Sequence, residues 1–183
     1  PIIARDTDHL KALLHACIDE HGDACDLNHI DVSQITNMSD LFADSPFNGD
    51  ISQWNTSNVL DMRHMFDESD FNGNISNWNV SKVQSTSGMF SNSSFSGDLS
   101  RWDMRSAKCM RAMFQGASFL GDISGWDVSN VTTMVGMFWE AQFNNDISQW
   151  KTSNVWDMRR MFYKSHFQGD ISGTCLRSFY DIF

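Results

Sequence analysis

Aspartate stands at positions 50, 98, 122, 146 and 170, with Asn74 in step between the first two. If the segments carrying these residues lie side by side, their carboxylates stack about 5 Å apart and repel unless something offsets the charge. A calcium ion is one answer, since aspartates in tandem turns can supply its oxygen ligands. The other is local: each Asp accepts backbone N–H groups within its own Asn-Gly-Asp turn, which an amide at 74 can also do. One carboxylate per segment is few for calcium, and Asn74 suits the turn. A second group, His15, Cys17, His21, Cys25 and His29, puts five candidate zinc ligands within 15 residues. Its cysteines are eight positions apart rather than in the tight pair of a structural zinc site. A Cys17–Cys25 disulfide is the further option for an exported chain. No G-x-S-x-G, Walker loop or H-E-x-x-H occurs. The expectation is therefore a protein that is not an enzyme and carries no cofactor.

Aromatic side chains offer a different chemistry, that of binding. Of seven tryptophans, five recur at 54, 78, 102, 126 and 150, and two, Trp139 and Trp156, fall outside that register. Trp139 shares its own register with Asp67, Ser91, Gln115 and Tyr163, and Trp156 with Leu60, Gln84, Lys108 and Thr132. Mostly polar companions imply outward positions. Trp139, Trp156 and Tyr163 are thus expected to form an exposed patch beside Arg159, Arg160 and Lys164, a composition typical of binding surfaces. A homodimer contact, or packing of the C-terminal tail over the rings, would use the same residues. A further outward set is Gln53, Asn77, Arg101, Gly125 and Gln149, with Asn55, Asn79, Asp103, Asp127 and Lys151 beside it. Small, polar and mixed in charge, it suits a protein or glycan partner as well as plain solvent.

The elements that position these residues follow from one period, 24 residues without slippage, on which Trp54, Trp78, Trp102, Trp126 and Trp150 fall. One Phe series runs 42, 66, 90, 114, 138, 162 and another 47, 71, 95, 119, 143, 167. An aliphatic series runs Ile51, Ile75, Leu99, Ile123, Ile147 and Ile171, with Ser after each. Six units are read as 27–50, 51–74, 75–98, 99–122, 123–146 and 147–170. Units this short cannot bury their own apolar face, and a fixed period of this length marks a solenoid whose stacked units share one core. Within a unit, Ile51-Ser-Gln-Trp54-Asn-Thr56 suggests a short strand that pairs in parallel with its neighbours. Val59, Met62, Met65 and Phe66 have helical spacing, so one or two turns of α or 3-10 helix are expected there. Residues 1–26 lie outside the repeat. Asp6 or Thr7 caps an expected helix with Leu10, Leu13, Leu14, Cys17 and Ile18 on one face and Gly22 as its stop. Residues 171–183 are read as a partial repeat and C-terminal cap, closed by Leu176, Phe179, Tyr180, Ile182 and Phe183.

The spacing I-x-x-W-x-V with a later Asn resembles the leucine-rich repeat. The longer pattern V-x-x-M-x-x-M-F, then F-N-G-D-I-S-x-W-x-V-S-N-V, resembles the BspA-like leucine-rich repeat surface proteins over residues 25–173. That resemblance implies a leucine-rich-repeat-like solenoid, often at a cell surface, associated with adhesion. It brings no catalytic residues. The net charge of −10 argues against a nucleic-acid or anionic-membrane partner, and no apolar run is long enough to span a membrane. The expected function is a non-enzymatic protein- or glycan-binding module at the cell surface or secreted. The alternative is a cytoplasmic regulatory or inhibitory solenoid, favoured by the acidic charge and by a start without a visible signal peptide.

Overall fold

The computed structural model describes residues 1–172 and 181–183. Strand β1 (Ile2–Ile3) leads to helix α1 (Thr7–His21) and then strand β2 (Ile30–Asp31). Asp6 caps α1 by accepting a bond from the His9 N–H at 2.8 Å, and Asp8 favours the positive end of the helix dipole. Gly22 ends the helix at φ 83° while donating its N–H to the Ile18 carbonyl. Leu10 and Leu14 are fully buried, with Leu13, Cys17 and Ile18 packed more loosely against the same core. The Thr7 hydroxyl reaches the Asn37 carbonyl at 2.7 Å and ties the helix to the first unit. β1 pairs in parallel with β2, a strand the sequence pattern did not suggest.

Beyond β2 the 24-residue units lie side by side in parallel register. Isolated bridges join Asn37, Asp61, Ser85, Cys109, Thr133 and Asp157 in succession. The segments differ from the expected strand and helix. Among the described residues, 51–170 contain no named strand or helix. In 51–56 the Trp54 N–H closes a four-residue turn on the Ile51 carbonyl. Ile51 then also accepts the Trp78 indole N–H at 3.1 Å, so a side chain from the next unit takes the place of a strand ladder. The same indole bond recurs from Trp54 to Leu27, Trp102 to Ile75, Trp126 to Leu99 and Trp150 to Ile123.

Where helical turns were expected, the chain alternates its bonding. Met62, His64, Phe66 and Glu68 donate to Ser85, Ser87, Met89 and Ser91 of the next unit, while Met65 and Asp67 close local turns. A left-handed residue at two places in each unit makes this alternation. His64 and Glu68 have φ of 53°, and their counterparts Asp40, Ala112, Arg160, Asp44, Asn92, Glu140 and Lys164 share that sign with Gly88, Gly116 and Gly136. A left-handed residue cannot continue a right-handed helix. The apolar spacing that mimics a helix is therefore produced by successive tight turns.

The core is a set of stacked rings. Phe42, Phe66, Phe90, Phe114, Phe138 and Phe162 stack at 5.7 Å between neighbours. The second Phe series, 47 to 167, stacks at 6.1–6.5 Å, and within each unit the two series meet face to face. Glycine follows five of the six second-series Phe residues by two positions, where the ring occupies the space a Cβ would need, and Asn145 takes that place after Phe143. At Gly49 the restriction is backbone: a Cβ there would sit 2.0 Å from the Cys25 carbonyl oxygen. At the far end Phe162 donates to the Ile182 carbonyl, Ile182 is buried, and Phe183 stacks on Phe162 at 5.8 Å. The expected tail contacts of Leu176, Phe179 and Tyr180 lie outside the described residues.

Candidate functional site

The aspartate register is made of turns. Asp50, Asp98, Asp122, Asp146 and Asp170 each accept the backbone N–H of the serine two residues on, at 2.7–2.9 Å. Asn74 accepts the Ser76 N–H in the same way, at 3.1 Å. Those backbone bonds hold all five carboxyls below the usual carboxylate range. Repulsion between neighbours is present, as Asp98 pushes Asp122 up and Asp170 pushes Asp146 up, but the turn bonds outweigh it.

The histidine and cysteine group is only partly assembled. Cys17 Sγ lies 3.6 Å from His29 Nε2, while His15 and His21 are exposed. Among the described residues, no three His, Cys, Asp or Glu side chains come together as a metal site would require. Cys17 and Cys25 are both free thiols, which departs from the disulfide option. Burial, then the neighbouring Cys17, pushes the Cys25 thiol up.

The off-register aromatics divide: Trp156 is exposed, whereas Trp139 and Tyr163 are half-buried rather than exposed as expected. Stacking of units brings Trp139 and Tyr163 together edge to face, 5.6 Å between ring centres. Arg160 lies over the Trp139 ring at 5.3 Å, and Lys164 over Tyr163 at 5.4 Å while pairing with Glu140 at 3.3 Å. The left-handed turn positions carry both cations, Arg160 and Lys164, as well as Glu140. Gly136, at the corresponding place one unit earlier, leaves room for the indole: its missing Cβ would stand 3.5 Å from Trp139. That glycine is a sequence signal for the cluster, visible only once the registers are known to be adjacent.

Arg159 is not part of this cluster. It grips Asp157 through two bonds of 3.0 and 2.8 Å, and its hydrogen bond holds the Asp157 carboxyl down. Trp156 also stands apart. It is 63% exposed, and among the described residues no ring contact joins it to Trp139 or Tyr163. Gln53, Asn77, Arg101 and Gln149 are all exposed, as expected, but they stand on turns rather than on a strand. Gln53 and Gln149 bond their own neighbours Ser52 and Ser148. Gly125 interrupts this row and opens a shallow recess of about 450 Å³ bordered by Trp126, Gln149 and Lys151.

A family model described as "Mycoplasma protein of unknown function, DUF285" matches residues 11–120 and, in a second overlapping match, residues 92–182. The chain belongs to the DUF285 family. Two matches within one chain agree with the tandem units described above, and DUF285 is a repeat family in this sense. No curated protein and no solved structure matches the chain significantly. Among the described residues of this DUF285 chain, no helix is long and apolar enough to cross a membrane.

Proposed function

We propose that the chain is a leucine-rich-repeat-like solenoid acting as a non-enzymatic binding module, with a protein or glycan held on its outer surface. The observation that carries this reading is the Trp139–Tyr163–Arg160–Lys164 cluster. Residues that repeat are consumed by the core and the turns. This cluster is what the last units add, and its rings are already oriented by each other and by the cations over them. Pre-oriented aromatics with arginine lose little freedom on binding. The likeness to BspA-like repeats supports a surface, adhesive setting. The net charge of −10 favours the second reading, a cytoplasmic inhibitor-type binder.

The test is affinity capture with wild type against a Trp139→Ala/Tyr163→Ala variant, with light scattering on both. Loss of a captured partner supports the module. Loss of a dimer instead assigns the cluster to self-association. An unchanged partner set and an unchanged mass would remove the cluster from the function. Fractionation of the native cell separates the two settings.

A further inference from the structure

A second surface has a composition of its own. Leu60, Gln84, Lys108, Thr132 and Trp156 sit on five successive units, and each donates its backbone N–H to the carbonyl of the residue one unit before, from Leu60 to Thr36 through to Trp156 to Thr132, at 2.8–3.0 Å. Bonds of this kind hold the five side chains in one row, with rungs ~4.8 Å apart. Beside the row runs an open groove of about 840 Å³ lined by Leu60, Lys82, Gln84, Lys108, Asn130 and Thr132, together with Ser106 and Arg105. Among the described residues, no carboxylate lines it. Arg105 is held by Asp103 at 2.6 Å and adds little net charge. Lys82 gives one N–H to Asn58, leaving two, and Lys108 is exposed. Leu60, 40% exposed, stands at one end of the row and Trp156, 63% exposed, at the other.

We propose that this row and groove bind an acidic linear polysaccharide. The site is separate from the Trp139–Tyr163 cluster and stands or falls without it. Three observations select the ligand. First, the two lysines call for anionic groups, and the absence of lining carboxylates leaves them available. Second, the backbone N–H groups of the row are already donated to neighbouring units, so the row offers no such donors to an added peptide strand. Recognition must come from side chains: the Gln84 amide and the Ser106 hydroxyl suit sugar hydroxyls, while the Asn130 amide nitrogen is held by the Arg105 carbonyl at 2.7 Å and leaves its oxygen to accept. Third, the rung spacing is close to the length of one pyranose, and Trp156 gives a sugar ring a flat apolar face to rest on. The row spans roughly 19 Å over four steps, enough for about four sugars. The overall negative charge opposes a polyanion, but beyond about 8 Å it is screened at physiological salt.

The experiment is fluorescence anisotropy with a labelled heparin octasaccharide at about 150 mM salt, with neutral dextran and a poly-glutamate of equal charge alongside. Saturable heparin binding is expected, with poly-glutamate at least about tenfold weaker and dextran silent. Lys82→Ala/Lys108→Ala is expected to weaken heparin at least about tenfold. Trp156→Ala, which changes no charge, should weaken it several-fold, and Trp139→Ala should leave it unchanged. Circular dichroism melts of these surface variants should overlay wild type. Absent heparin binding, binding indifferent to the two lysines, or Trp156→Ala binding as wild type overturns the proposal. Poly-glutamate binding as tightly as heparin overturns it in favour of an acidic peptide.

Discussion

Replacing Phe114 by alanine tests the stacked core most directly. Phe114 is fully buried and touches four rings: Phe90 and Phe138 at 5.7 Å, Phe119 at 4.5 Å and Trp126 at 6.3 Å. Truncating a buried Phe to Ala costs about 3–5 kcal/mol. The upper part of that range applies, because the units on both sides are pinned by their own backbone bonds and cannot collapse into the gap. Against a total stability of about 5–15 kcal/mol for a domain, this is a large fraction. At about 2–4 °C per kcal/mol for a chain of this size, a loss near 4 kcal/mol lowers Tm by about 8–16 °C. Phe183 is the control. It stacks on Phe162 alone among the described residues and is 64% exposed, so Phe183→Ala should cost under about 1 kcal/mol. Urea unfolding followed by circular dichroism measures both. Because the inter-unit bonds and ring contacts among the described residues join adjacent units, a break at 114 should also broaden the transition or split it in two. A Phe114→Ala variant within about 0.5 kcal/mol of wild type, or one no worse than Phe183→Ala, would refute the ring ladder as the source of stability.

Trp102→Phe keeps an aromatic ring but loses the indole bond to the Ile75 carbonyl, and urea unfolding should show a loss of about 1 kcal/mol or somewhat more. Gly136→Ala has room for its Cβ but must hold φ at 61°, so a cost of about 1–2 kcal/mol is expected. Gly49→Ala, facing a carbonyl at 2.0 Å, should be clearly worse in the same melt. The five turn aspartates have folded pKa values below the unfolded value of about 3.9. Their contribution is therefore fully present above that pH and is lost as pH falls through the lower folded values. Asp122→Asn should leave the melt at pH 7 near wild type while reducing its acid sensitivity, and added calcium should shift neither protein's Tm. A calcium-dependent rise in wild type alone would return the ion to this register.

The 24-residue period, the membership of each register and the ends of α1 at Asp6 or Thr7 and at Gly22 were legible in the chain, because each depends on spacing or on a local bond, and the structure chose Asp6 as the cap. The spacing of Val59, Met62, Met65 and Phe66 was legible but misleading. Turns with left-handed residues at His64 and Glu68 place apolar side chains at the same intervals as a helix, and no local residue preference announces them, since Asp, His, Ala, Glu and Arg share these places with Gly. The tryptophan register looked purely apolar, yet each indole N–H serves a carbonyl one unit away. Such a bond joins residues 27 apart and exists only after the units have stacked. It took the folded arrangement to place Arg160 over Trp139, to turn Arg159 to Asp157, and to keep Trp156 out of the Trp139–Tyr163 pair. Residues adjacent in the chain point to different faces at a tight turn, whereas residues a full period apart are neighbours in space. Spacing along the chain is enough to assign each residue to its column. The path of each turn decided which columns share a face.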